Sequence, residues 1–399
     1  MVAIFLFVMC LLVYSTEAQV QYKVFNVNDY GANADGNTDN SVIKAFLKAW
    51  SDACRWQGKS TILIPQGTYM LKEVIFSGPC NAWMNFKIEG TLKAPSDPYS
   101  FKTENWINFR YINKLNVGGG GTLDGQGSSA WETNDCTKNP NCRPLPTTMK
   151  FDFITNGNIH HLRSINSKQS HFVVFGCDQM TFTKLRIIAP DESPNTDGIK
   201  IGKSKGINIT SVTIGTGDDC IAMLAGTRNV LISDVFCGPG HGISVGSLGK
   251  NEGEEDVDNI VVKNCTISGT NNGVRIKSWA VQLKKTLMAS NFLYEDIVMD
   301  NVQFPIIIDQ DYCPHSSCQE DSSVQSSVQI SNVAYKNIRG SGNSEVAASF
   351  KCSQNKPCQG ITMDNINLWP YASDSGSLSN VCLNVNGASY GQHNPPSCI

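Results

Sequence analysis

The stretch DGIKIGKSKGINITSVTIGTGDDCIAM, residues 197–223, decides the fold. It opens on Asp197-Gly-Ile-Lys-Ile201 and closes on Asp219-Cys-Ile-Ala-Met223, so one short pattern returns after 22 residues. The pattern is a polar residue, a small one, then an apolar–x–apolar strand. It recurs as His241-Gly-Ile-Ser-Val245, 22 residues further on, and as Asn272-Gly-Val-Arg-Ile276 followed by Lys277. Between the two copies lies a second pattern, Ile207/Ile209/Val212/Ile214. Period-two apolar residues on either side of a two-residue break predict two short strands joined by a bend, both facing one core.

Working outward, the second pattern precedes or follows each polar point. It reads Met180/Phe182/Leu185/Ile187, Val230/Ile232/Val235/Cys237 and Ile260/Val262/Cys265/Ile267. It continues less regularly at Phe292/Tyr294/Ile297/Met299, Val333/Tyr335/Ile338/Gly340 and Ile361/Met363/Ile366/Leu368. A repeat of this length in a strand-rich chain predicts stacked coils, with rungs roughly 4.8 Å apart. Independent hairpins would need two-residue turns between paired strands, whereas these strands share direction and face. The expected fold is therefore all-β: one right-handed parallel β-helix domain over residues 19–399. Such a solenoid needs a cover for its open end. Thr38-Asp39 followed by Val42, Ala45, Phe46, Ala49 and Trp50 reads as a capped amphipathic helix in that place, with Cys54 tying it down. The tail after Trp369 is expected to wrap the last coils.

The chain has 399 residues, of which 17% are charged, with a net charge of −3. Residues 1–18 read as a secretory signal: an apolar stretch from Val2 to Tyr14, then Ser-Thr-Glu-Ala before Gln19. A membrane anchor is the rival, but the stretch is short for a bilayer. Removal takes away Glu17 and no Lys or Arg, leaving a net charge of −2. That balance gives no global pull toward nucleic acid or membranes. A soluble monomer is expected outside the cell. Of 15 cysteines, Cys10 leaves with the signal and an even 14 remain. No Cys-x-x-Cys occurs, so disulfides are favoured over zinc. The pairs Cys54/Cys80, Cys136/Cys142, Cys220/Cys237, Cys313/Cys318, Cys352/Cys358 and Cys382/Cys398 are close enough in sequence to suggest themselves, while Cys177 and Cys265 are hardest to place. Asn208-Ile-Thr and Asn264-Cys-Thr are glycosylation sequons. Gly118 to Gly121 reads as a tight turn rather than a phosphate loop, since no Gly-Lys-Ser/Thr follows.

On stacked rungs, Asp197, Asp219 and His241 form a ladder, with Asp218 beside it. Ile199 and Ile201 point to the core, so Lys200 points out, and the same column carries Ala222, Ser244 and Arg275. Lys277 falls on that face too. Carboxylates rimmed by Arg and Lys suit an anionic substrate, which Arg can grip through a two-point fork. Three carboxylates this close cannot all ionise easily, so one keeps its proton to higher pH. A protonated carboxyl beside ionised ones is the pair that glycosidic cleavage requires. His160, His161, His171, His315 and His393 have no such company and read as structural or solvated.

Asn195-Thr-Asp197, Gly217-Asp-Asp219, Gly240-His-Gly242 and Arg275-Ile-Lys277, in that order, resemble the four signature motifs of the polygalacturonases, the family 28 glycoside hydrolases. The opening Val24-Phe-Asn-Val-Asn-Asp-Tyr-Gly31 is similar to that of the pollen-type plant exopolygalacturonases. The resemblance implies a right-handed parallel β-helix and inverting hydrolysis of α-1,4-linked galacturonan in pectin, with exo-action. It implies Asp218 as general acid and Asp197 and Asp219 as the groups that activate water, with Asn195 and His241 in support. Arg275 and Lys277 would bind the galacturonate carboxylate, Tyr312 would line the cleft, and neither metal nor other cofactor is implied. An acidic optimum, about pH 4–6, is expected. Two rival readings keep the fold. A pectate lyase would use Ca²⁺ and a basic residue for elimination, and a non-catalytic pectin-binding protein would tolerate loss of the acid.

Overall fold

The computed structural model describes residues 21–132, 134, 139, 142–314, 324–372 and 376–399. The expected signal segment, Cys136, His315 and Cys318 lie outside these residues. The pattern Ile-x-Ile of the opening stretch forms Ile199–Gly202, one strand of an eleven-stranded sheet that runs from Val74–Ser77 to Ser379–Leu383. Every neighbour in it is parallel, for example Ile199 against Ile221 and Ile221 against Ile243. An eighteen-stranded sheet closes the coils on their other sides. A parallel strand pair needs a crossover, and crossovers of this kind are right-handed. The architecture is the right-handed parallel β-helix that the repeats predicted.

The two-residue break becomes a bend at a residue in the left-handed region. Lys184, Ser211, Asp234, Asn264, Asp296, Asn337 and Asn365 occupy it, with φ between 51° and 55°. Asn and Asp tolerate this conformation because their short polar side chains pair locally. Asn337 Nδ2 donates to Asp296 Oδ1 at 3.0 Å, and Asn264 Nδ2 donates to Asp234 Oδ1. The strands on either side stay separate in the earlier coils, as Asp178–Thr183 and Arg186–Ile188, but run on as one from Lys205–Gly215. The apolar residues of each pattern are buried: Ile207, Ile209, Val212 and Ile214 are all 1% exposed or less. They join one core cluster reaching from Phe25 to Leu378. Between Gly118 and Thr122 the chain makes the expected tight turn, and a Cβ at Gly119 would lie 2.5 Å from the Ile88 carbonyl oxygen.

The cap differs in detail from its expected form. Asp39 accepts from Ser41 N and starts α1, Asn40–Ile43, which stops at Lys44 with φ 59°. The chain restarts as α2, Ala45–Arg55, whose Ala45, Phe46, Ala49, Trp50 and Ala53 are buried. Val42, counted with the apolar face, is 72% exposed because it belongs to the turn before the break. The disulfide Cys54–Cys80 ties α2 to the first coils. The tail also departs from a wrapping role. Ser379–Leu383 and Val385–Asn394 extend the two sheets by a further coil, closed by Cys382–Cys398. Cys220–Cys237 and Cys352–Cys358 pair as suggested, whereas Cys177 and Cys265 are free and buried. Cys142 and Cys313 are disulfide-bonded, and their expected partners lie outside the described residues. Among the described residues no helix is long and apolar enough to cross a membrane.

Trp50 is the keystone of the cap. It packs on Phe76 at 5.0 Å between centroids and on Phe109 at 5.7 Å, and its indole donates to the Ser77 carbonyl at 3.0 Å. Trp50→Ala should lower the unfolding free energy by about 3–5 kcal/mol. Val42→Ser should change it by less than about 0.5 kcal/mol. Denaturant titration of the two variants measures both.

Candidate active site

Register places the ladder. With Ile199 opposite Ile221 and Ile221 opposite Ile243, Asp197, Asp219 and His241 sit at equivalent points on consecutive rungs. Backbone bonds lock them there: Gly198 N donates to Asp219 O at 2.9 Å, and His241 N donates to Asp218 O at 2.9 Å. The flanking glycines are dictated by this closeness. A Cβ at Gly240, where φ is +141°, would lie 2.6 Å from the Asp218 carbonyl oxygen. One at Gly242, where φ is +83°, would lie 2.1 Å from that of Asn272. The Gly-His-Gly pattern is thus a spacing requirement around one imidazole.

The structure brings together three carboxylates and three cations. Asp219 is bound on both oxygens: Arg275 Nη2 at 2.8 Å and Ser244 Oγ at 2.7 Å reach Oδ1, and Lys277 Nζ reaches Oδ2 at 2.9 Å. Arg275 Nε also donates to Ser244 Oγ at 3.1 Å. Asp197 Oδ1 faces Lys200 Nζ at 3.0 Å and accepts from Ser170 Oγ at 3.3 Å. Asp218 Oδ1 lies 3.1 Å from His241 Nδ1 and accepts from Asp219 N at 2.7 Å. The side chains of Asp197 and Asp219 are only 5% and 3% exposed, while that of Asp218 is 21% exposed. Asp218 is the most accessible of the three carboxyls.

Burial and neighbours separate the three acids. Burial pushes Asp197 from 3.8 up to about 6; Lys200 opposes this, and Asp218 and Asp219 reinforce it. Burial also works against ionisation of Asp219, but Lys277 and then Arg275 overcome it and hold the group at about 2. For Asp218, burial is outweighed by the hydrogen bond from His241, and its carboxyl lies below the usual value. His241 is raised, chiefly by that same bond. Below about pH 6 these surroundings favour the proton on Asp197, and they favour the charged forms of Asp218 and His241. The carboxyl raised by its surroundings is Asp197 rather than Asp218, the expected donor, because His241 supplies Asp218 with a hydrogen-bonding partner.

Tyr312 pairs in register with Trp279, packs edge-on against it at 5.5 Å, and lies 5.2 Å from Lys277 Nζ. Asn195 is exposed, with φ 55°, and among the described residues its side chain makes no hydrogen bond. Asp218, Asp219 and His241 hold ligand-type atoms within 4.8 Å of one another, but the oxygens of Asp219 are already committed to cations, which suits a hydrolytic cluster better than a metal. Asn208 and Asn264 lie on the outer face, away from this cluster; Asn264 is exposed. Of the other histidines, His171 is buried against Ser164 Oγ at 2.7 Å, and burial drives its pKa down to about 3. His160 and His161 pair with each other, and His393 bonds Tyr390 O. Two polar supports escaped the sequence reading. Ser244 stood in the outward column without a role, and Ser170 becomes the rung partner of Asp197 only once Phe172 is seen opposite Ile199.

The shifts carry a stability signature. Asp197 holds its proton more tightly folded than unfolded, so its contribution is complete below 3.8 and is lost as pH rises through about 6. Asp219 runs the other way: its contribution is present above 3.8 and is lost as pH falls through about 2. Asp197→Asn should flatten the decline in stability between about pH 4 and 6, as read from denaturation midpoints at a series of pH values. An unchanged slope would contradict the placement of the proton.

Against this geometry, comparison with known proteins is direct. The family described as Glycosyl hydrolases family 28 matches residues 54–394. An exopolygalacturonase of Platanus acerifolia is 44% identical, over 94% of this chain and 97% of that protein. A polygalacturonase of Gossypium barbadense is also 44% identical, over 97% of this chain and 94% of its own length. The solved polygalacturonase of Erwinia carotovora superposes with a TM-score of 0.69 at 27% identity, covering 88% of this chain and 94% of that one. Family match and full-length relatives agree with the ladder that the chain belongs to family 28 of the glycosyl hydrolases.

Proposed function

We propose that this chain is a secreted polygalacturonase that hydrolyses α-1,4-galacturonosyl linkages of pectin in the cell wall, by inversion and from a chain end. The observation that carries the reading is the accessible Asp218–His241 pair set over two buried, cation-held carboxylates. Similarity to polygalacturonases and exopolygalacturonases over nearly the whole chain supports the substrate and the exo mode.

The roles follow from the surroundings. Asp218 is the proton donor to the leaving oxygen, because it is the most accessible of the three acids. Its proton comes from the cluster, in which His241 Nδ1 lies 3.1 Å from it and burial favours a proton on Asp197 into the mildly acidic range. Asp219, held ionised by Lys277 and Arg275, orients and deprotonates water together with Asp197 once the proton has passed on. His241 positions Asp218. Arg275 has one bond each from Nε and Nη2 to Ser244 and Asp219, and the donors it retains on Nη1, with Lys277, attract the galacturonate carboxylate. Tyr312 and Asn195 line the approach, and glycans at Asn208 and Asn264 would sit clear of it.

Asp218→Asn should fold as the parent does and lose about 10²–10⁴-fold in kcat on polygalacturonate. Full activity in that variant would sink the assignment. The alkaline limb of the parent's rate profile should fall near pH 6, where Asp197 loses its proton. On defined oligogalacturonates, monomer alone from the outset supports exo-action and a spread of lengths refutes it. Unsaturated, chelator-sensitive products would instead indicate a lyase, and pectin binding with no release of reducing ends a binding protein.

A further inference from the structure

Beyond Arg275, the groove continues into an open cavity of about 360 Å³ whose far edge carries Lys351. Arg275, Ile307, Ser349 and Val381 stand in register on successive rungs and form its floor. Lys277, Asp309 and Lys351 form the adjoining column. Lys351 is thus two rungs past Lys277, roughly 10 Å along the solenoid axis. The cavity is lined at one edge by Arg275, which is bound to Asp219, so it adjoins the reactive cluster.

The two directions along the groove treat their cations differently. Toward the N-terminal end, Lys150 lies two rungs before Lys200, but it is spent: its Nζ is 3.2 Å from Asp152 Oδ1 and lies over the Phe175 ring. Asp152 is further fixed by Asn108 Nδ2 at 2.8 Å. Toward the C-terminal end, Lys351 is exposed and among the described residues has neither ion pair nor side-chain hydrogen bond. The acid facing it in the cavity is Asp309, which accepts from Asp311 N at 3.0 Å. Burial favours the neutral form of Asp309, while Lys351 and Arg275 oppose that shift. Phe304, Ile307, Val346 and Val381 supply an apolar surface beside the free ammonium group. An apolar floor with one uncommitted cation matches a sugar ring that presents a C–H face and a carboxylate.

We infer that Lys351 is a specificity-determining residue that binds the carboxylate of a second galacturonosyl unit, seated on Ile307 and Val381 beyond the unit held at Arg275. The inference rests on the polygalacturonase reading above. The chain of substrate therefore extends from the reactive cluster toward the C-terminal coils.

The test compares kcat/KM for digalacturonate with that for tri- to hexagalacturonate in the parent enzyme, Lys351→Gln and Lys351→Arg. The parent should gain in kcat/KM with length. Lys351→Gln should lose about tenfold of that gain, through KM, and Lys351→Arg should restore most of it. The gain should also shrink with added salt in the parent more than in Lys351→Gln. An identical length dependence in parent and Lys351→Gln overturns the inference while leaving the proposed function standing. A parent inactive on every oligogalacturonate overturns the proposed function itself.

Discussion

Strict parallel register between rungs is the constraint on which everything else rests. A rung bonds the next through its backbone, so residues a coil apart in sequence are held roughly 4.8 Å apart in space. Core, turn and site inherit that spacing. Inside, it stacks Ile199 on Ile221 on Ile243. At the bends it stacks Asn and Asp side chains into amide ladders. On the outer face it sets three acids and their cations side by side. The same closeness explains why Gly240 and Gly242 flank His241, since a methyl group at either would collide with a neighbouring rung.

The site shows how a buried charged cluster can be made tolerable. Desolvation penalises each carboxylate, and the outcome depends on which cation answers it. Asp219 is answered twice and stays ionised; Asp197 is answered once, by Lys200, and keeps its proton into the mildly acidic range. Chemically similar residues on adjacent rungs thereby acquire different states. The difference comes from the outward column beside them, in which Arg275 and Lys277 stand near one acid and Lys200 near the other.

The solenoid and the membership of the cluster were legible because both are periodic. Apolar–x–apolar repeats reveal the coils, and the polar residue before each reveals the ladder. What was not legible depended on non-periodic detail. Lys44 breaks the cap into two helices through one left-handed residue, which the apolar spacing does not disclose. The last coil, formed by Ser379–Leu383 and Val385–Asn394, is poor in apolar periodicity and is mostly exposed, so its sequence reads as a tail. Ser170 enters the site only through register. The resting place of the proton depends on burial and on His241, neither of which a motif records.

Cys177 and Cys265 carry a consequence for oxidative maturation. Both thiols are sealed in the core, where burial lifts their pKa values to about 12 and 11, so almost no thiolate exists at physiological pH. Thiol–disulfide exchange proceeds through the thiolate and needs access. Once the coils have closed over these two side chains, the finished disulfides are beyond their chemical reach. Among the described residues, completion of the solenoid thus withdraws the two unpaired thiols from exchange, and the fold shields its own cross-links from them.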